Sequence, residues 1–359
     1  METTTRSTLS SGHDIVVIGG SAGAAEALLE LLKQLPASLP AAVFFVYHMS
    51  ASSEGWLHRM LADRTQLEIK LAEDGEPIRH GVVYIARPDL HMMVEGDAVL
   101  LRRGPRENRW RPAIDPLFRS AAIAYGTRVI GIVLTGMLDD GTAGLAAIKR
   151  CGGITIVQDP HDAAHPQMPQ SALDNIQVDH CVPMKNMGKL LQDLIAKPPG
   201  TSASVPKEIE EEARIAARGI RESVPPYSHQ PSLFTCPDCS GPLYKIDEKT
   251  TGGPHEIYRC LVGHGWTGQS LMSMTTEALE TTLWAAIRLF RQRANLLNSR
   301  VEREREMGRQ RTAAYYHEEY EEALKHAQNL QELVMKPPAE QREEEHAVAP
   351  NYDRKKSRG

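Results

Sequence analysis

The stretch Asp14–Ile15–Val16–Val17–Ile18–Gly19–Gly20–Ser21–Ala22–Gly23–Ala24, continued by Ala25–Glu26–Ala27–Leu28–Leu29–Glu30–Leu31–Leu32, decides how the chain folds. Its short β-branched run reads as a buried parallel strand, and the Ala/Leu/Glu run that follows reads as a helix. Between them Gly19, Ser21 and Gly23 form a G-x-S-x-G pattern. Glycines allow a tight strand-to-helix turn, which presents the Ser21 hydroxyl beside the N–H groups of a helix N-terminus. Three readings of this turn are open. It can carry a nucleophile whose chemistry develops an oxyanion, cradle a dinucleotide phosphate, or simply turn the chain with Ser21 as an N-cap.

Working outward, strand and helix patterns alternate to about Pro183. Ala42–His48 is a second apolar strand, and it ends in a histidine. Glu54–Ala62 reads as helix, Ile69–Leu71 and Val82–Ala86 as short strands, and Met92–Val94 with Ala98–Leu101 as a hairpin about Glu95–Gly96–Asp97. Asp115–Tyr125 is an amphipathic helix. Val129–Leu134 is a third buried strand leading into Thr135–Gly136–Met137–Leu138–Asp139–Asp140–Gly141, followed by a helix from about Ala143 to Arg150 and a strand at Ile154–Val157. This alternation predicts an α/β fold, a doubly wound and mostly parallel sheet between two helix layers.

In such sheets ligands gather outside the carboxyl ends of the strands. Ser21, His48 and the Asp139/Asp140 pair each follow a different apolar strand, and together they supply a nucleophile, a general base and an orienting acid. A dinucleotide site wants an acidic residue about 20 positions after the glycines; the second strand ends in Tyr47–His48–Met49 instead. Asp140 is the preferred acid because Asp140–Gly141 opens the following helix. Spacing does not separate it from Asp139, and either can cap that helix.

With 359 residues there is room for one sizeable α/β domain and a smaller module. A net charge of -5 without a basic stripe argues against nucleic acid as a partner. Met1–Ser11 is polar and lacks the apolar core of a secretory signal, and no apolar run reaches the ~18–20 residues that span a bilayer. A soluble cytoplasmic protein without direct membrane insertion is expected. Five cysteines, an odd number, fit a reducing compartment better than a disulfide framework.

The C-terminal half has a different character. Lys197–Ser204 is a linker by composition, followed by a short charged helix at about Pro206–Arg221. Cys236–Pro237–Asp238–Cys239 and Cys260–Leu261–Val262–Gly263–His264 then offer C-x-x-C and C-x-x-x-H spacings, with strands at Leu243–Ile246 and Glu256–Arg259 between them. Three thiolates and one imidazole make a closed tetrahedral set, so a structural Zn2+ in a ribbon-like module is predicted, against a redox C-x-x-C as the competing reading. Cys151 and Cys181 are expected to be buried thiols, and His13, His58, His161, His165 and His180 lack a ligand pattern. Leu279, Leu283, Ala286, Ile287, Leu289, Phe290, Leu296 and Leu297 recur at near-helical spacing, and Tyr315, Tyr316, Tyr320, Leu324 and Leu330 follow. One long helix or a helical hairpin fits, packed against the ribbon or offered to a signalling partner or second copy. The expected segments are a catalytic domain at 12–195, a linker with a short helix at 196–231, a zinc-ribbon-like module at 232–270, a helical or coiled-coil segment at 271–335 and a disordered tail at 336–359.

Read together, Ile18–Gly23, Tyr47–His48–Met49, Val83–Ala86 with Pro88–Asp89–Leu90–His91, Arg111–Ala122, Leu134–Gly141 and Met168–Pro169 resemble, in order, the catalytic domain of the CheB-type protein-glutamate methylesterases of bacterial chemotaxis. The resemblance spans roughly residues 12–195. It implies Ser21 as nucleophile, His48 as general base and acid, Asp140 as the group orienting His48, and an oxyanion site at the backbone N–H of Met137. It implies hydrolysis of glutamate γ-methyl esters on the cytoplasmic helices of methylated chemoreceptors, with glutamine deamidation as a related activity and no cofactor for catalysis. Three positions depart from the pattern: Ala22 stands where threonine is common, Arg87 where a second proline is usual, and Leu138 where glycine is common. The catalytic pattern begins almost at the first residue, so control by a receiver domain in cis is not expected. The competing function is a non-catalytic signalling scaffold that recruits partners through its zinc module and helices.

Overall fold

All six residues of Ile15–Gly20 (β1) are buried, which a strand achieves only with a layer packed on each face. The computed structural model describes residues 12–53, 57–201, 203–218, 230–246 and 256–335. The N-terminal segment before residue 12, the expected tail at 336–359, the first turn of the helix expected from Glu54 and the end of the one expected to reach Arg221 lie outside the described residues. Two units are distinguished, Met1–Met272 and Ser273–Gly359.

In the first unit β1 is followed by α1 (Ala24–Lys33), β2 (Ala42–Tyr47), α2 (Leu57–Ala62), β3 (Glu68–Leu71) and β4 (Val82–Ile85). The antiparallel hairpin β5 (His91–Glu95) and β6 (Ala98–Arg102) comes next, then α3 (Ile114–Tyr125), β7 (Val129–Val133), α4 (Thr142–Arg150) and β8 (Ile154–Gln158). Three further elements that no sequence signal marked complete this part: α5 (Gln167–Asn175), β9 (His180–Val182) and α6 (Met184–Ile195). Seven strands form one sheet in the order β3-β4-β2-β1-β7-β8-β9, and every pairing in it is parallel.

Alternate residues of each strand feed two separate cores. Val16, Ile18, Val43 and Phe45 pack with Leu28, Leu31, Met187 and Leu191 from α1 and α6. Val17, Phe44 and Val133 pack on the other face with Ile114, Phe118, Leu145 and Ile148 from α3 and α4. The predicted three-layer α/β/α architecture follows directly. One thiol expectation fails: Cys151 is buried, whereas Cys181 is exposed, because it lies on β9 at the edge of the sheet where no neighbouring strand covers it.

The charged helix after the linker is α7 (Lys207–Arg218), and it lies against the domain. Its Ala213 and Ala216 pack on Met93 of β5. The ribbon is a four-stranded antiparallel sheet, β10 (Gln230–Thr235), β11 (Pro242–Ile246), β12 (Ile257–Cys260) and β13 (Gly265–Thr267). The sequence signalled only the middle two strands. Arg259 of β12 is 1% exposed and is bonded by its Nε to Glu212 of α7 at 2.8 Å, while its Nη2 lies 3.2 Å from Glu107. Arg119 of α3 also pairs with Glu107. Burial pushes the Glu107 carboxyl up, but Arg119 and Arg259 outweigh it and bring it down to about 2. Ribbon and sheet domain are therefore joined through a buried ion-pair network in one unit.

A long helix, α8 (Gly268–Glu306), leaves the ribbon and is followed by α9 (Gln310–Met335). Within the second unit the chain reverses near Gly308, which takes a left-handed φ of 73°. Arg291 bonds Gln331 at 2.6 Å, Arg293 bonds Glu319 at 2.6 Å, and Phe290 meets the His326 ring, so the two helices form a hairpin. Among the described residues no helix is long and apolar enough to cross a membrane.

Candidate active site

β1, β2 and β7 are adjacent at the middle of the sheet, and the chain leaves their carboxyl ends through Ser21, His48 and the Thr135–Gly141 loop. The order of strands reverses between β1 and β7, and such a switch point opens a crevice at the sheet edge. Gly23, with φ 76°, lets the chain turn sharply from β1 into α1. The Ser21 N–H donates to the Thr135 carbonyl at 3.0 Å, so the turn is tied to the β7 loop and that amide is not open to a phosphate.

His48 Nδ1 lies 3.0 Å from Ser21 Oγ, and His48 Nε2 lies 2.7 Å from Asp140 Oδ2. The side chains of His48 and Asp140 are 4% and 1% exposed, so this line of contacts is shielded from water. Asp140 Oδ2 also accepts from the Ile114 N–H at 2.8 Å, at the N-terminus of α3, where the helix dipole favours a negative charge. Asp140 Oδ1 accepts from Asn108 Nδ2 at 3.1 Å. Burial alone would raise the Asp140 carboxyl, but the bonds from His48, Ile114 and Asn108 outweigh it and hold it below the ordinary carboxylate range. Its neighbour Asp115 is pushed well above that range by burial and by Asp140 itself. The surroundings thus favour the charge on Asp140 and the proton on Asp115. An ionised Asp140 can only accept, which puts the imidazole proton on Nε2 and leaves Nδ1 a lone pair toward the serine hydroxyl.

The two adjacent carboxylates that spacing could not separate are separated here. Asp139 faces away from His48 and accepts from Thr267 Oγ1 at 2.8 Å; burial raises it to about 7. In the same loop the Gly136 N–H donates to His165 and the Leu138 N–H to Gln167, while the Met137 N–H between them has no partner among the described residues. A hydrogen-bond donor left open beside the serine suits a developing oxyanion. Gly136 fits because a Cβ there would lie 2.9 Å from Ser21 Cβ and 2.1 Å from Met168 Sδ. Leu138 holds φ 64°, which explains why glycine suits that position better.

Two residues of the site, Asn108 and Trp110, carried no signal in the sequence. Trp110 stacks on His48 with ring centroids 4.7 Å apart and planes 8° from parallel. Ala22 offers no hydroxyl to the histidine, and this indole face braces the ring instead. Trp110 and Asn108 sit in a tight turn, Glu107–Trp110, with left-handed φ at Asn108 and Arg109. Below it the buried His91 accepts from the Ala113 N–H and donates to the Pro105 carbonyl, and Arg111 grips Asp89 at 2.6 and 2.9 Å. Asp89, His91 and Arg111 lie in stretches that carried the family resemblance, but Asn108 and Trp110 sit in a loop, and loops lack the periodicity that reveals strands and helices.

In the ribbon, Cys236, Cys239, Cys260 and His264 have all their donor atoms within 4.8 Å of one another. Cys239 Sγ and Cys260 Sγ are 3.7 Å apart, and His264 Nδ1 is 3.7 Å from Cys236 Sγ and 3.5 Å from Cys260 Sγ. Ligands at the usual ~2.3 Å (S) and ~2.0–2.1 Å (N) around a tetrahedral Zn2+ would have edges of about 3.5–3.8 Å. The donor set fits a metal ion of that kind.

The description CheB methylesterase belongs to the family model that matches residues 16–191. A Leptospira interrogans protein with the provisional name protein-glutamate methylesterase/protein-glutamine glutaminase is 37% identical over 179 residues, 50% of this chain and 93% of that protein. A Rhizobium johnstonii protein-glutamate methylesterase/protein-glutamine glutaminase is 36% identical over 179 residues, which span about half of each chain. The crystal structure of the Thermotoga maritima CheB methylesterase catalytic domain is 34% identical and matches with a TM-score of 0.49, covering 52% of this chain and all of that one. With the family model running the length of the seven-stranded sheet domain, and a 37% identical relative matched over nearly its whole length, this chain belongs to the CheB methylesterase family.

Proposed function

We propose that the protein is a serine hydrolase that removes methyl groups from glutamate γ-methyl esters, through Ser21 as nucleophile, His48 as general base and acid, and Asp140 as the group that orients His48. The reading is carried by the water-shielded contact line from Ser21 Oγ through both ring nitrogens of His48 to Asp140. Ser21 Oγ attacks the ester carbonyl carbon as its proton passes to His48 Nδ1. The carbonyl oxygen becomes an oxyanion and accepts from the Met137 N–H. Collapse breaks the C–OCH3 bond, and His48 returns its proton to the leaving oxygen, releasing methanol. Water then loses a proton to His48 and attacks the acyl-enzyme, giving a free glutamate carboxylate and restoring Ser21. Attack on a glutamine amide by the same route would release ammonia. No cofactor enters these steps.

The substrates we propose are the cytoplasmic helices of methylated chemoreceptors, which sets the work of the protein in the cytoplasm. The names of the relatives support the ester and amide chemistry. Trp110 and Met137, the latter 51% exposed, offer an apolar rim for a helical substrate. The ribbon cluster is proposed to hold a structural Zn2+, with all four positions filled by the protein and none open to substrate. Recruitment of signalling partners by the helical hairpin, through exposed Leu279, Trp284, Leu289 and Leu296, is compatible with catalysis.

Methanol release from methylated receptor membranes tests the reading. Ser21→Ala is expected to reduce it by about 10^4-fold or more; equal release by both proteins rejects the triad. Elemental analysis tests the metal, and a metal-free, fully folded ribbon rejects it.

A further inference from the structure

The loop between β6 and α3 is paired to the ribbon as well as to the catalytic domain. The Gly265 N–H donates to the Arg106 carbonyl at 3.1 Å, and the Asn108 N–H donates to the Gly265 carbonyl at 2.9 Å. Glu107 thus forms a single parallel bridge to Gly265 of β13. The Asn108 side chain, 5% exposed, spans the junction. Its Oδ1 accepts from the Thr267 N–H at 3.0 Å and from Ser270 Oγ at 3.2 Å, both on the ribbon side. Its Nδ2 donates to Asp140 Oδ1 at 3.1 Å and lies 3.4 Å from Asp115 Oδ2. An amide has two donors and two lone pairs, and here all are directed at partners. The partners also fix which way it points, since the ribbon offers donors and ionised Asp140 only accepts. Thr267 Oγ1 makes a second tie, to Asp139.

From these contacts we infer that the ribbon is a working part of the active site, with Asn108 as a positioning residue through which Gly265–Ser270 holds the carboxylate plane of Asp140. Asp140 Oδ2 already serves His48 and Ile114; Asn108 holds the other oxygen and stops the carboxylate turning about its last bond. Without the ribbon a buried amide carbonyl loses both of its donors, and the side chain has reason to swing away from Asp140. The family model ends at residue 191, and the matched residues make up 93% of the Leptospira relative, leaving it no length for a ribbon. The tie is therefore an addition to the family's core. His264 immediately precedes β13, so a metal held by the cluster would order the strand that grips Asn108. The inference rests on the proposed triad.

The test uses the full chain and reads methanol release from methylated receptor membranes together with the downfield proton resonance of the His48–Asp140 hydrogen bond. Asn108→Ala is expected to lower kcat by about 10- to 100-fold, the worth of a hydrogen bond to a charged group, with KM within about twofold and the downfield proton lost. Gly265→Ala acts from the ribbon side: its Cβ would lie 2.8 Å from Arg259 Nη1 and 3.4 Å from Glu107 Cγ, crowding the junction between β13 and the loop, and the same two losses are expected. Gly265→Ala also keeps the test decisive if Asn108→Ala does not fold. A chelated chain, verified metal-free by elemental analysis, is expected to lose the downfield proton as well. If Ser21→Ala is inactive while the Asn108→Ala, Gly265→Ala and chelated proteins keep both kcat and that proton, the coupling is overturned and the triad stands. If Ser21→Ala stays active, the triad reading fails and the coupling fails with it.

Discussion

The sheet edge at Ser21, His48 and Asp140 and the Cys/His cluster of the ribbon each bring a few polar side chains together, and they do so by opposite means. Ser21, His48 and Asp140 are separated by 27 and 92 residues along the chain, and only the pairing of β1 with β2 and β7 makes them neighbours. The four Cys/His residues of the ribbon come in two short turns, closed by local bonds such as Ser240 N–H to Cys236 O and Gly263 N–H to Cys260 O. One site draws its precision from two hydrophobic cores on either side of a sheet. The other has a small core, Leu243, Ile246, Ile257, Tyr258 and Trp266, with Ala143 of α4 packed against it, and a module of that size gains from a metal or a neighbour. The junction at Glu107–Trp110 joins the two schemes: the small module leans on the large one through Arg259, and in return borders its carboxylates.

The largest effect expected from this contrast lies in the ribbon. Cys236→Ser removes one donor of the proposed metal site, and structural Zn2+ sites contribute about 10–16 kcal/mol to folding. Hydrogen exchange should then show the amides of β11 and β12 unprotected while those of β1 and β7 stay protected; uniform protection would mean that the ribbon is held by packing alone. Gly136→Ala probes the catalytic edge in the same spirit. A methyl 2.9 Å from Ser21 Cβ and 2.1 Å from Met168 Sδ must displace the serine and crowd the core beside it, and a misplacement of that order costs about 100-fold in kcat. Steady-state kinetics checks it, and an unchanged kcat would show the turn to be more forgiving than its packing indicates.

Asp139, which faces the ribbon, gives a pH-dependent contrast. Its carboxyl titrates at about 7 in the fold against 3.8 ordinarily, so the folded chain holds the proton more tightly than the unfolded one. Stability therefore falls as pH rises from about 4 to 7 and levels off above. Asp139→Asn keeps an acceptor for Thr267 and abolishes the charge. Thermal melts should show it more stable by about 2–4 kcal/mol at pH 8 and nearly unchanged at pH 4. The smallest effect is expected at Leu138, where glycine relieves the left-handed backbone at about 1–2 kcal/mol but frees the unfolded chain by about 0.5–1. Leu138→Gly should raise the melting temperature slightly, and a fall would mean that the leucine side chain packs more usefully than its half-exposure implies.

The pattern of hydrophobic runs was enough to lay out the sheet. β1, β2, β4, β7 and β8 are near-continuous apolar stretches because both faces of a parallel sheet are covered, and their boundaries lie within a residue or two of those expected. The strand ends then indicated Ser21, His48 and an aspartate, and cysteine spacing indicated the metal cluster. What escaped the sequence is polar or short. β9 and β13 have three residues each, and α5 begins with Gln167–Met168–Pro169, which reads as loop. Cys181 looked buried because valine and proline follow it, but burial depends on whether a strand lies beyond, and at β9 none does.

The sequence by itself determined which residues can be strand or helix, which groups can act as nucleophile, base and acid, and which four can hold a metal. These depend on local chemistry and on periodicity along the chain. Only the tertiary structure decided that Asp140 rather than Asp139 faces His48, that Trp110 lies on the imidazole, and that Asn108 links the ribbon to Asp140. Each of those is a contact between segments far apart in sequence. Such contacts are set by strand pairing and by how a buried polar atom finds a partner, and no spacing along the chain encodes them.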